Sequence, residues 1–107
     1  MSDNHMSLVD FFDLHQKLAA NSLILDVRRP DEFSEGHIEG AMNIPLDELT
    51  ARYLELKSFA HIYIHCKRGG RAKTAFDILK QLGMTNIVCI HDAGMDQWIQ
   101  NGYPVKR

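Results

Sequence analysis

Two rhythms alternate along the chain. Short strand-like runs stand at LILDV (23–27), HIYIH (61–65) and NIVCI (86–90), and AMNI (41–44) adds a briefer one. Between them, apolar residues recur every three or four positions, the spacing that gathers side chains on one face of a helix. In DFFDLHQKLA the set is Phe11, Leu14 and Leu18, with Asp10 placed to cap the N-terminus. Pro30 can open a short helical turn over RRPDEF, because its missing N–H has no partner to lose there. Leu46, Leu49, Tyr53 and Leu56 share a helical face after Pro45. The clearest helix is RAKTAFDILKQL (71–82), with Ala75, Ile78, Leu79 and Leu82 on one side and Gly83 at the expected left-handed cap. GMDQWIQ begins a final short helix before Gly102 and Pro104.

Strands alternating with helices predict an α/β domain, a central parallel sheet with helices on both faces. Asp26 interrupts LILDV without removing its character as a buried parallel strand. Ligands of such sheets bind beyond the carboxyl ends of the strands. The 107 residues make one domain, long enough for a core without disulfides or a metal. The reading divides them into a frayed polar tail over residues 1–6 and one domain over 7–107.

Composition narrows the functional classes. A formal charge of −2 argues against coating nucleic acid, so any basic patch is local. No apolar run approaches membrane-spanning length, and MSDNHMSLVD lacks the basic-then-apolar order of a signal peptide. Two cysteines, Cys66 and Cys89, do not make a disulfide framework. The expectation is a soluble cytoplasmic protein with no nucleic-acid or membrane partner, where a cysteine is more often catalytic than crosslinked.

Cys66 stands where HIYIH ends and the clearest helix has yet to begin. Cys66, Lys67, Arg68, Gly69, Gly70 and Arg71 form C-x4-R. Such a loop can turn successive N–H groups inward as an anion nest, and the following helix adds its positive dipole end. Gly69 and Gly70 permit the backbone angles this needs, and Lys67, Arg68 and Arg71 supply charge. These surroundings favour a thiolate and, more usefully, hold a small oxyanion against sulfur while a bond breaks. The alternative is a buried structural thiol beside a solvated basic turn; strand, glycines, cations and helix start in one sequence favour chemistry.

Three ordered segments resemble the rhodanese family of sulfurtransferases over about residues 7 to 105. LDVRRPDEFSEGHIEGAMNIP (25–45) is similar to its N-terminal signature, CKRGGR to its active-site loop, and GMDQWIQNGYPV to its closing signature. The resemblance implies that Cys66 takes the outer sulfur of a donor such as thiosulfate as a persulfide and passes it to a thiophilic acceptor. The acceptor would be cyanide in the laboratory, and a thiol or thioredoxin-like protein in cells. It further implies that the amides of Lys67 through Arg71 cradle the persulfide, that Arg71 and neighbouring cations bind the anionic donor, and that no cofactor is needed. Ala72 departs from the serine or threonine of many members and removes a hydroxyl contact.

Related phosphatases use C-x5-R, so four intervening residues favour sulfur over a phosphoryl group. Arsenate reduction would need Cys89 as a second thiol, yet Cys89 lies in an apolar strand. A non-catalytic rhodanese-like module that binds partners or senses oxidants is the other alternative, against which the intact cysteine speaks. Asp26, Arg28 and Glu32 read as a polar brace at a strand end, and His37 as a hydrogen-bonding turn residue. His65 reads as a packed strand histidine, Cys89 as a small core side chain, and Trp98 as packing for the last helix. His61, His65, His91 and Cys66 lack zinc-ligand spacing, so no metal is expected.

Overall fold

The computed structural model describes residues 4–107. Five strands form one sheet in the order β1-β5-β4-β2-β3: β1 (His5–Met6), β2 (Ser22–Asp26), β3 (Met42–Asn43), β4 (His61–His65) and β5 (Ile87–Ile90). Every pairing is parallel, so each strand must be reached by a crossover, and the crossovers carry the helices. They are α1 (Leu8–His15), α2 (Pro30–Glu35), α3 (Leu49–Arg52) and α4 (Gly70–Gln81), and α5 (Met95–Gln100) follows the last strand. The expected parallel α/β sheet is thus found, with β4 at its centre.

Side-chain alternation sorts the two faces. Leu23, Leu25, Val27, Ile62 and Ile64 point into one core with Leu49, Leu56 and the α4 residues Ala72, Ala75, Phe76 and Leu79. Ile24, Tyr63 and Ile90 point into the other, where Leu8, Phe11, Met95 and Trp98 of α1 and α5 cover them. Each large buried side chain contributes roughly 1.5–3 kcal/mol of transfer free energy, so both faces of the sheet are held by burial rather than by surface charge.

Three local expectations change. Residues 1–3 of the expected tail lie outside the described residues, but residues 5 and 6 form β1, not a frayed end. His5 registers with Cys89 and Met6 with Ile90, and the Cys89 N–H donates to the Asn4 carbonyl at 2.8 Å. Two residues are too few to show an apolar rhythm; beyond the backbone pairing, Met6 packs against the core that includes Leu8 and Trp98, and the His5 ring lies 5.1 Å from that of Phe76. Ser7, not Asp10, caps α1: its hydroxyl accepts from the Asp10 N–H at 3.1 Å, and Asp10 sits in the first turn, where a negative charge suits the dipole. The segment 46–56 is not one helix but 3₁₀ turns at Leu46–Glu48 and Tyr53–Leu56 around α3. Its apolar residues are spaced by three, four and three, and a spacing of three suits the eclipsed side chains of a 3₁₀ turn.

Candidate active site

Cys66 follows directly on central β4, and α4 opens at Gly70, so only Lys67, Arg68 and Gly69 separate thiol from helix. The chain must reverse direction within that span. Gly69 does so with φ of +115°, and a β-carbon there would lie 2.1 Å from the His91 carbonyl oxygen. No other residue fits this position without moving the end of β5.

The loop curls around sulfur. The Gly69 N–H donates to Cys66 Sγ at 3.0 Å and the Ala72 N–H at 3.3 Å, the second from the first turn of α4. Free N–H groups at a helix N-terminus carry partial positive charge, so both donors stabilise negative charge on sulfur. The family resemblance implies a cradle over Lys67 to Arg71; of those amides Gly69 donates to the sulfur here, and Ala72, one residue beyond, adds a backbone contact that no side-chain pattern encodes. Cys66 is 1% exposed and forms part of the floor of an open cleft of about 550 Å³ whose other walls are Arg29, Glu32, Lys67, Arg68, Gly70 and Arg71. A slender group fits that approach better than a bulky one.

The carbonyl side of the loop is fixed by α5. Met95 and Asp96 donate their N–H groups to the carbonyls of Cys66 and Lys67, at 2.8 and 3.1 Å. Gly94 makes this approach possible, since a β-carbon on it would fall 2.2 Å from the Cys66 carbonyl oxygen. The GMDQWIQ segment is therefore a support for the cysteine loop as well as a packing helix. Trp98 is buried in the second core and donates its indole N–H to the Pro104 carbonyl at 2.6 Å.

Charge in the cleft is more balanced than the sequence suggests. Arg71 is not free: it forms two bonds to Glu32, Nη1 to Oε1 at 2.6 Å and Nη2 to Oε2 at 3.1 Å. These bonds hold the Glu32 carboxyl at about 2, against the burial that opposes them. Arg68 pairs with Asp96 at 3.1 Å on the exposed rim, and Arg29 with Asp31 at 3.1 Å. Among the described residues, Lys67 is the loop cation without a carboxylate partner.

Asp26 and Arg28 form the expected brace. The Arg28 guanidinium meets both carboxylate oxygens, the shortest bond being Nη2 to Oδ2 at 2.7 Å, and Nη2 also donates to the Gly36 carbonyl at 2.8 Å. Burial would raise the Asp26 carboxyl, but His65 and the Arg28 guanidinium outweigh it and keep it below its usual range. His65 is buried on the same face, Nε2 lying 3.9 Å from Asp26 Oδ2, and burial pushes its imidazole below the ordinary range. His37 is the turn residue expected, with Nδ1 2.9 Å from the Phe33 carbonyl oxygen and its ring stacked on Phe33. Cys89 is buried in β5, and burial pushes its thiol up to about 12, which leaves it unreactive near neutral pH.

Comparison with known proteins agrees with this architecture. Thiosulfate sulfurtransferase 16 of Arabidopsis thaliana, a chloroplast protein, is 32% identical over 86% of this chain and 86% of its own length. The uncharacterized protein YqhL of Bacillus subtilis is 37% identical over 70% of this chain, which spans 59% of that protein's length. A crystal structure of a rhodanese-related protein from Thermoplasma volcanium superposes with a TM-score of 0.82 at 32% identity, covering 95% of this chain and 96% of that one. The Rhodanese-like domain family matches residues 12–101, from α1 to the end of α5 with the cysteine loop between, and the chain is a member of that sulfurtransferase family.

Proposed function

We propose that this protein transfers a sulfane sulfur through a persulfide on Cys66. The observation that carries the reading is the pair of amides, from Gly69 and Ala72, aimed at the sulfur of a cysteine on the floor of an open cleft. In the first step the Cys66 thiolate attacks the outer sulfur of a donor such as thiosulfate. The new S–S bond forms as the donor's S–S bond breaks, and sulfite departs with the electron pair. In the second, a thiol or cyanide attacks the outer sulfur of the persulfide and returns Cys66 as a thiolate, so no net oxidant or reductant is consumed. The amides hold negative charge at sulfur through both steps, and fixed donors need no reorganisation to do so. Four residues between Cys66 and Arg71 fit a sulfur atom better than a phosphoryl group, and the protonated Cys89 gives no second thiol for arsenate reduction.

Mass spectrometry of the protein treated with thiosulfate tests the reading. The expected result is a gain of one sulfur on Cys66 that cyanide removes with formation of thiocyanate, and no gain in Cys66→Ser. Absence of the adduct from thiosulfate and from a small-molecule persulfide would leave a binding module. Aryl-phosphate turnover lost in Cys66→Ser would replace sulfur transfer with phosphoryl transfer.

A further inference from the structure

The cleft holds a carboxylate where a site for a doubly charged anion would be expected to hold none. Glu32 lines the same cavity as Cys66 and takes both outward nitrogens of Arg71 in a two-point bond. It is held from behind as well, because Oε1 accepts from the Arg29 N–H at 2.9 Å as part of the α2 cap. Its position is therefore fixed, and its side chain is only 13% exposed. Four cations stand on the walls, namely Arg29, Lys67, Arg68 and Arg71; Asp31, Asp96 and Glu32 pair with three of them. One positive charge remains, on Lys67. A cleft with that balance complements one negative charge rather than two.

We propose that Glu32 is a specificity-determining residue, which lowers the affinity of the site for dianionic donors such as thiosulfate and favours monoanionic sulfane donors of the class R–S–S⁻ or R–SO₂–S⁻. The inference rests on the sulfur-transfer reading for its reaction, though its electrostatic content concerns binding alone. Glu32 acts in two ways. It repels a second negative charge directly, and it engages the guanidinium that would otherwise meet the anion two nitrogens at a time. Because the carboxyl is held at about 2, both effects persist at neutral pH.

Glu32→Gln tests this while keeping the side chain's shape, an acceptor for the Arg29 N–H and an acceptor for Arg71. Thiosulfate is compared with methanethiosulfonate, which offers the same sulfonyl-bound sulfur with one negative charge fewer. Removing one carboxylate should lower the KM for thiosulfate by about four- to tenfold and that for methanethiosulfonate by about two- to threefold, since the energy scales with donor charge. The difference should shrink in high salt. A thiosulfate KM that does not fall, or equal factors for both donors as a purely structural role would give, overturns the proposal.

Calorimetric binding of thiosulfate to Cys66→Ala and to Cys66→Ala/Glu32→Gln decides the same point without turnover. Tighter binding in the double variant supports the proposal, and unchanged or weaker binding refutes it. Glu32→Ala provides the same comparison should the glutamine variant fold poorly. Failure of every donor to load Cys66 would overturn sulfur transfer, while the binding arm would still judge Glu32.

Discussion

The sulfur of Cys66 owes its surroundings to a backbone that only one residue type can follow. Gly69 combines a left-handed φ with a carbonyl 2.1 Å from where a β-carbon would stand, whereas a β-carbon on neighbouring Gly70 meets nothing within 4 Å. The two adjacent glycines therefore make opposite predictions. Gly69→Ala should cost about 2–4 kcal/mol, from backbone strain and displacement of the β5 end together. It should also lower kcat for sulfur transfer by about 10–100-fold, because the displaced amide no longer faces sulfur. Gly70→Ala, at a helical position, should leave stability unchanged or raise it by up to about 1 kcal/mol through the unfolded chain. Thermal unfolding and thiosulfate-to-cyanide turnover of both variants check this. Unaltered turnover in Gly69→Ala would remove its N–H from the mechanism.

At the scale of elements, α2 is a six-residue helix with no buried residue of its own, so polar contacts must hold it. Glu32 supplies part of them, capping the helix through the Arg29 N–H and reaching Arg71 across 39 residues of sequence. Its carboxyl falls from the ordinary 4.5 to about 2 in the folded protein. A depressed carboxyl contributes stability that is fully present above the unfolded value and lost as pH falls through the folded one. Between about pH 4.5 and 2 the protein should therefore lose about 1–2 kcal/mol that Glu32→Gln does not lose, after allowance for solvent screening. Urea unfolding across that range measures it, and parallel pH profiles for the two proteins would show the pair to be energetically idle. The same helix marks the limit of what a sequence discloses. Cys66, the C-x4-R loop and α4 are local: an apolar run, a glycine pair and a period of 3.6 announce them. Pro30 likewise announces α2. That Glu32 belongs to the cysteine's cleft is not local, since only the crossover from β2 brings it beside Arg71. Nor is β1 legible, where two residues are too few to show a period, nor the Ala72 amide, whose direction is set by the loop and not by its side chain.

Across the whole molecule, the functional edge is a junction of separately built parts. The loop after β4 is held by α5 through the Met95 and Asp96 amides, and α2 arrives from the far side after β2. The Asp26–Arg28 pair adds a second hold on α2 beside the Glu32 bonds. Arg28 donates to the carbonyls of Glu32 at 3.3 Å and Gly36 at 2.8 Å, at the middle and the end of α2. Asn43 of β3 donates to the carbonyls of Asp26 at 3.0 Å and Arg28 at 2.9 Å, tying the edge strand to the same point. With Asp26 wholly buried and the Arg28 side chain 6% exposed, removing one partner strands a charge in the interior. Asp26→Ala should accordingly cost about 3–5 kcal/mol, and a double replacement, Asp26→Ala with Arg28→Met, should recover part of that loss because no unpaired charge remains. Recovery of stability need not restore the site. Without Arg28 the carbonyls of α2 lose their anchor, Glu32 is freed to move relative to Arg71, and the thiosulfate KM should change in the double variant even where its urea midpoint approaches that of the original protein. Unfolding curves and donor kinetics on the same three proteins separate the two roles. An Asp26→Ala variant within about 1 kcal/mol of the parent would mean that the pair does not bear on the fold as buried charges ordinarily do, and the junction would then have to be held by the Glu32–Arg71 bonds and the α5 contacts.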